Sequence, residues 1–251
     1  IHDNFGGNIR TFISGAAAID PKVAEGFRSI GIQLLQGYGL TECAPIGALN
    51  RDVYSKDAAA GLPLPGVEIK IDNPNEEGIG EVLIKGGNVM MGYYEAPELT
   101  AEAIVDGWYH TGDLGYLDKD SFLHLTGRMK NVIITKNGKN VFPEEIETYL
   151  GRSRFVEDSL VQSKEKGDDI LIYAQIMPNY AEVEAELGTD YTEEQLIALM
   201  RGEVEAANEL TQGYKRVTKF SIRVRPFEKT TTHKIQRFKP ENISDEGNIM
   251  C

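Results

Sequence analysis

The chain changes texture once, near Gly127-Arg128, and that single change limits it to folds built from two dissimilar parts. Ahead of it the sequence is rich in turns. The 26 glycines are about a tenth of the chain, against a usual share of roughly 7%, and they concentrate between Gly6 and Gly138. Val67, Ile69 and Ile71 alternate with Glu68, Lys70 and Asp72; Val82 and Ile84 lie beyond a Gly78-Ile79-Gly80 turn. Period-two alternation of this kind predicts a half-exposed antiparallel sheet, curled into a small barrel-like unit. Leu114 to Leu117 and Phe122 to Leu125 flank Asp118-Lys119-Asp120 and predict a hairpin. The first dozen residues read as strand, and Asp20-Pro21 as the cap and first turn of a helix ending at Gly31. Ile32 to Leu35 reads as a buried strand that delivers its carboxyl end into Gly37-Tyr38-Gly39.

Behind Gly127 the period changes. A strand is expected at Val132 to Thr135, a turn at Asn137-Gly138 and a helix opened by Pro143-Glu144-Glu145. Strands follow at Ser159 to Gln162 and Ile170 to Met177. Thr192 with Gln195 makes a capping box for a helix carrying Leu196, Leu199, Met200, Val204, Ala207 and Leu210 at helical spacing. A last strand spans Val217 to Val224. The expected class is α+β with α/β character, divided into residues 1–128 and 129–251.

Composition removes several functions. A formal charge of −13 repels a phosphate backbone, which excludes sequence-blind nucleic-acid binding. No apolar run approaches the roughly 18 residues of a membrane span. Cys43 and Cys251 form no CxxC pair and follow no secretory leader, so a reducing, cytoplasmic setting is expected. The chain begins at Ile1, not Met, and reads as part of something longer.

Four stretches carry chemistry. In Gly37-Tyr38-Gly39-Leu40-Thr41-Glu42 the glycines allow close backbone approach, Tyr38 offers a flat face, Thr41 a hydroxyl for a phosphate oxygen, and Glu42 a hard oxygen of the kind Mg²⁺ prefers. The bland alternative is an ordinary strand-to-loop turn. In Trp108-Tyr109-His110-Thr111-Gly112-Asp113 the carboxylate suits a vicinal diol such as ribose, or else serves its own hairpin turn. Gly127-Arg128-Met129-Lys130 offers a guanidinium fork and a hinge lysine, against surface charges in a connecting turn. Pro226 to Arg237 is a polar loop whose Lys234 is a movable point charge, against a frayed, solvated tail.

The order and spacing of YGLTE, GEVLIKGGNVMMGYY, YHTGD, GRMKNVIITKNGKNVFPEEIE and THKIQR resemble the carboxyl half of the adenylate-forming superfamily of acyl-CoA synthetases, peptide-synthetase adenylation domains and firefly luciferase. The resemblance runs from about Thr11 to Lys239 and is strongest to long-chain fatty acid CoA ligases. It implies the end of a large AMP-binding domain followed by a small mobile domain. It further implies that Ser14, Gly15, Ala16 and Ala17 line an adenine pocket, Tyr38 stacks on adenine, Gly39 belongs to the nucleotide site, Thr41 touches the α-phosphate and Glu42 binds Mg²⁺. Asp113 would hold the ribose hydroxyls with help from Arg128, Lys130 would stand at the hinge, and Gly138 would shape the channel for coenzyme A. Lys234 would be the catalytic lysine.

Two departures accompany it. His233 stands where the family usually has Gly, and no Gly/Ser/Thr-rich phosphate loop ending in Lys-Gly is present. The expectation is therefore part of an ATP-dependent ligase that turns a carboxylic acid, foremost a fatty acid, into an acyl-adenylate and then a coenzyme A thioester. An amino-terminal half of the same enzyme would be its necessary partner. The rival expectations are a non-catalytic nucleotide-binding module and an adenylation domain that loads a carrier protein. Cys43, beside Glu42, is expected to pack and not to react.

Overall fold

The computed structural model describes residues 2–15, 19–167, 169–231 and 233–251; Ala16 and Ala17 of the expected adenine pocket lie outside them. The chain has mixed α/β structure and divides into two compact units, Ile1–Lys130 and Asn131–Cys251.

The first unit holds two sheets. In one, the Thr11–Ser14 strand pairs in parallel with Gln33–Tyr38. A parallel pair needs a crossover, and the helix Pro21–Ser29 supplies it, opened by the Asp20 carboxylate accepting from the Lys22 amide at 2.9 Å. Short strands Ala48–Leu49 and Leu62–Pro63 extend this sheet in antiparallel fashion. Two expectations are corrected here. Residues His2–Phe5 form a 3-10 turn with no buried side chain, not a strand. The strand expected at Ile32 to Leu35 instead runs through Gly37 to Tyr38, because pairing with Ala48 and Leu49 carries it past its apolar residues.

The other sheet curls into a half-barrel. Its antiparallel members include Val67–Asp72, Gly80–Gly86, Trp108–Leu117 and Leu123–Arg128. Val82, Ile84, Tyr109 and Leu123 bury one face together with Tyr38 and Cys43. Trp108–Leu117 begins six residues earlier than the sequence suggests, so Asp113 sits inside a strand and not in a hairpin turn.

In the second unit, Val156–Lys166 and Asp169–Pro178 form a long antiparallel pair, and Lys219–Ile222 joins in parallel. The helices Pro143–Leu150 and Glu193–Glu209 bring Ile146, Leu150, Leu196, Met200, Val204 and Ala207 into one core with Val161, Ile172 and Ile176. The capping box forms as expected: the Thr192 hydroxyl accepts from the Gln195 amide while the Gln195 side chain accepts from the Thr192 amide. Phe227 is buried against Leu160 and Met177, and Ile235 packs on the same cluster. The stretch read as a polar loop is thus fastened to the sheet by its two apolar side chains.

Candidate functional site

Asp113 is a buried carboxylate of the first unit, held from two directions. Strand register puts it directly opposite Arg128, whose Nε lies 2.8 Å from Oδ1. Oδ2 accepts the Tyr38 hydroxyl at 2.7 Å. The Asp113 amide donates to the Thr111 hydroxyl, which itself donates to the Val82 carbonyl at 2.7 Å. Burial, and then the adjacent Asp113 charge, push the Tyr38 phenol far above its ordinary range, so it remains a proton donor. Asp113 is only 7% exposed. The arrangement is therefore a charge-assisted acceptor, held from two sides, at the edge of a core. Tyr38 itself is buried, with its hydroxyl spent on that carboxylate.

The turn after Tyr38 is fixed by close packing. A Cβ on Gly39 would stand 1.7 Å from the Pro45 carbonyl oxygen, so only glycine fits. A 3-10 turn follows at Thr41–Cys43. The Asn88 amide ties it down, donating to the Cys43 and Ile46 carbonyls at 3.0 Å each. Thr41 is exposed, and its hydroxyl makes no hydrogen bond among the described residues. Glu42 accepts the Tyr93 hydroxyl at 3.1 Å through Oε1. Oε2 takes no hydrogen bond from a described residue.

No group of three or more His, Cys, Asp or Glu that could hold a metal occurs among the described residues. A single carboxylate oxygen fits Mg²⁺ when phosphates and water supply the other ligands. Cys43 is fully enclosed, and burial with Glu42 beside it pushes its thiol up to about 11, which argues against a nucleophile.

Sequence reasoning missed Glu81. Its carboxylate takes the Gly112 amide at 2.9 Å through Oε1 and the His110 ring at 2.9 Å through Oε2, bracing the strand just before Asp113. The only sequence signal was its position in GEVLIKGG; the partners lie 29 and 31 residues away. Gly15 is exposed directly after its strand.

Lys130 is exposed and ends the first unit. In the second unit, Gly138 has φ +71° in the turn joining the strands Ile133–Ile134 and Asn140–Val141, and its amide donates to the Thr135 carbonyl at 2.9 Å. Lys234 is exposed at the tip of a loop, and its ammonium makes no ion pair with a described residue. The preceding His233 has φ +61°. That is the left-handed region glycine enters freely and histidine more readily than most other residues, so the departure at this position preserves the turn.

A model of the AMP-binding enzyme family matches residues 2–94, and one of the AMP-binding enzyme C-terminal domain matches residues 130–242. The chain belongs to the AMP-binding enzyme family. Within that family, the long-chain-fatty-acid CoA ligase FadD15 of Mycobacterium bovis is 33% identical over 245 residues, 92% of this chain and 40% of the ligase. A feruloyl-CoA synthase of Amycolatopsis is 37% identical over 151 residues, 57% of this chain and 30% of that enzyme. Among solved structures, o-succinylbenzoate coenzyme A synthetase from Bacillus subtilis in complex with AMP aligns with a TM-score of 0.76 at 27% identity, covering 93% of this chain and 46% of that one. The same synthetase, in complex with ATP and magnesium ion, aligns at 0.75. The chain thus spans less than half the length of these relatives. No helix among the described residues is long and apolar enough to cross a membrane.

Proposed function

We propose that the protein carrying this chain is an acid-thiol ligase that works through an acyl-adenylate. A substrate carboxylate oxygen attacks the α-phosphorus of ATP, the bond to the β-phosphate breaks, and pyrophosphate leaves. The sulfur of coenzyme A then attacks the acyl carbon, and AMP leaves. The observation that carries this reading is the Tyr38-Asp113-Arg128 constellation, a buried acceptor suited to the two hydroxyls of ribose, in a chain of the AMP-binding family.

Tyr38 and Arg128 orient the Asp113 carboxylate toward the ribose, with Gly15 and Gly39 beside the adenine. The Thr41 hydroxyl meets the α-phosphate. Glu42 gives one oxygen to Mg²⁺, which when bound screens phosphate charge. Lys234 neutralises charge that develops on the α-phosphate. Lys130 serves as a hinge residue, and Gly138 allows pantetheine to pass close to backbone. No enzyme nucleophile is needed; positioning and electrostatics supply the rate. A fatty acid is the first substrate class to try, since the fatty-acid ligase relative matches nearly the whole chain; feruloyl-type aryl acids are the second.

The test is acid-dependent ATP-pyrophosphate exchange and thioester formation by the full-length protein, over fatty and aryl acids. Exchange stimulated by one of these classes supports the reading. ATP binding with no acid-dependent exchange would favour a nucleotide-binding module instead.

A further inference from the structure

The segment carrying Lys234 is a small hairpin with a built neck. Lys229 and Ile235 face each other in an antiparallel bridge. The Gln236 amide donates to the Glu228 carbonyl at 3.0 Å, and the Thr230 amide to the Lys234 carbonyl at 2.8 Å. Asn242, fully buried, closes the neck: its Oδ1 accepts the Glu228 amide at 2.8 Å, and its Nδ2 donates to the Glu228 and Gln236 carbonyls at 2.8 and 3.0 Å.

Both arms are also anchored to rigid elements. Lys229 pairs with Asp158 at 2.6 Å on the Val156–Lys166 strand. Arg237 donates to the Val161 carbonyl at 3.2 Å and to Glu147 Oε2, while Glu147 Oε1 accepts the Val161 amide at 2.7 Å. One carboxylate and one guanidinium thereby join the helix Pro143–Leu150, the sheet and the outgoing arm. Ile235, Gln236 and Arg237 of the outgoing arm are half-buried, while Thr230, Thr231, His233 and Lys234 around the tip are exposed.

A lysine on a free loop loses conformational freedom each time it meets a phosphate, whereas a pre-formed neck removes that loss in advance. We propose that Asn242 and Arg237 are positioning residues for Lys234, fixing the point from which its ammonium acts. This inference rests on Lys234 being the cation of adenylation. If the neck served folding alone, its loosening would change stability but not the rate of one half-reaction.

The experiment compares Asn242→Ala, Arg237→Ala, Arg237→Lys and Lys234→Ala in the full-length protein. It reads kcat and KM for ATP in acyl-adenylate formation, the conversion of supplied acyl-adenylate to thioester, and amide hydrogen exchange across Lys229 to Gln236. Expected for Asn242→Ala and Arg237→Ala are faster exchange in the hairpin, unchanged protection of the Glu193–Glu209 helix, and an adenylation kcat lower by up to about 10²-fold, the scale for an ångström of misplacement. KM and the thioester step stay near wild type, and Arg237→Lys, which keeps a donor, recovers part of the rate. Should Asn242→Ala not fold, Asn242→Asp retains the acceptor, lacks both donors and carries the same expectation. Faster hairpin exchange with wild-type adenylation overturns the proposal while Lys234→Ala still slows that step. Wild-type adenylation in Lys234→Ala itself overturns the reading of the lysine, and the proposal with it.

Discussion

The Tyr38 hydroxyl donates to Asp113 Oδ2 at 2.7 Å, joining residues 75 positions apart at the buried edge where the two sheets of the first unit meet. Removing the donor leaves a carboxylate oxygen without its buried partner. Tyr38→Phe should lower the stability of the first unit by about 1–3 kcal/mol, read by urea unfolding. An unchanged midpoint would mean that Asp113 is held firmly without the Tyr38 hydroxyl.

The turn at Gly39 is set by proximity and not by flexibility. Because a Cβ there would collide with the Pro45 carbonyl, Gly39→Ala should cost about 1–3 kcal/mol, the range for overpacking a tight site. Thermal melts of wild type and variant check this; equal melting temperatures would show that the Thr41–Cys43 turn moves aside freely.

Glu147 predicts a pH dependence. Burial raises its carboxyl to about 7 against an ordinary 4.5, opposed by Arg237 and the Val161 amide and reinforced by the Glu144 charge on the same helix. Glu144 itself accepts from Asn131 and lies 3.7 Å from Arg237 Nε. Between about 4.5 and 7 the folded state therefore binds more protons at Glu147 than the unfolded state does, and its contribution to stability falls as pH rises through that window. Urea unfolding at pH 5 to 8 should show wild type losing stability relative to Glu147→Gln as pH increases. A constant difference would place the Glu147 carboxyl at its ordinary value.

His233 makes a local test of the hairpin tip. With φ +61°, His233→Asn should be close to neutral, whereas His233→Val should cost about 1–2 kcal/mol, because a branched Cβ opposes the left-handed region. Thermal unfolding of the two variants decides it, and equal effects would mean that the tip does not require that conformation.

Much of this architecture is legible in the sequence where a local rule has a local outcome. The Thr192-Gln195 capping box and the Asp20-Pro21 helix start need only a few adjacent residues. The helix Pro97–Ala103 was missed because Ala96 gives no side-chain cap and seven residues are too few to show a period. Trp108–Leu117 extends beyond its legible apolar run because its buried alternation includes Thr111 and Asp113, polar residues whose partners come from Val82 and Tyr38. Glu81 and Asn242 were invisible for the same reason: their hydrogen bonds join segments that only the fold brings together. The segment from Pro226 to Arg237 looked like a tail because Phe227 and Ile235 are eight residues apart and show no period, yet both reach one apolar cluster.

Lys234 is proposed to supply the cation of an adenylating ligase, and measuring both half-reactions of Lys234→Ala in the full-length protein tests that role. Acyl-adenylate formation should slow by about 10²- to 10³-fold, the scale for losing one preorganised electrostatic contact, while conversion of supplied acyl-adenylate to the thioester stays near wild type. Equal loss in both steps, or none in the first, would contradict the account.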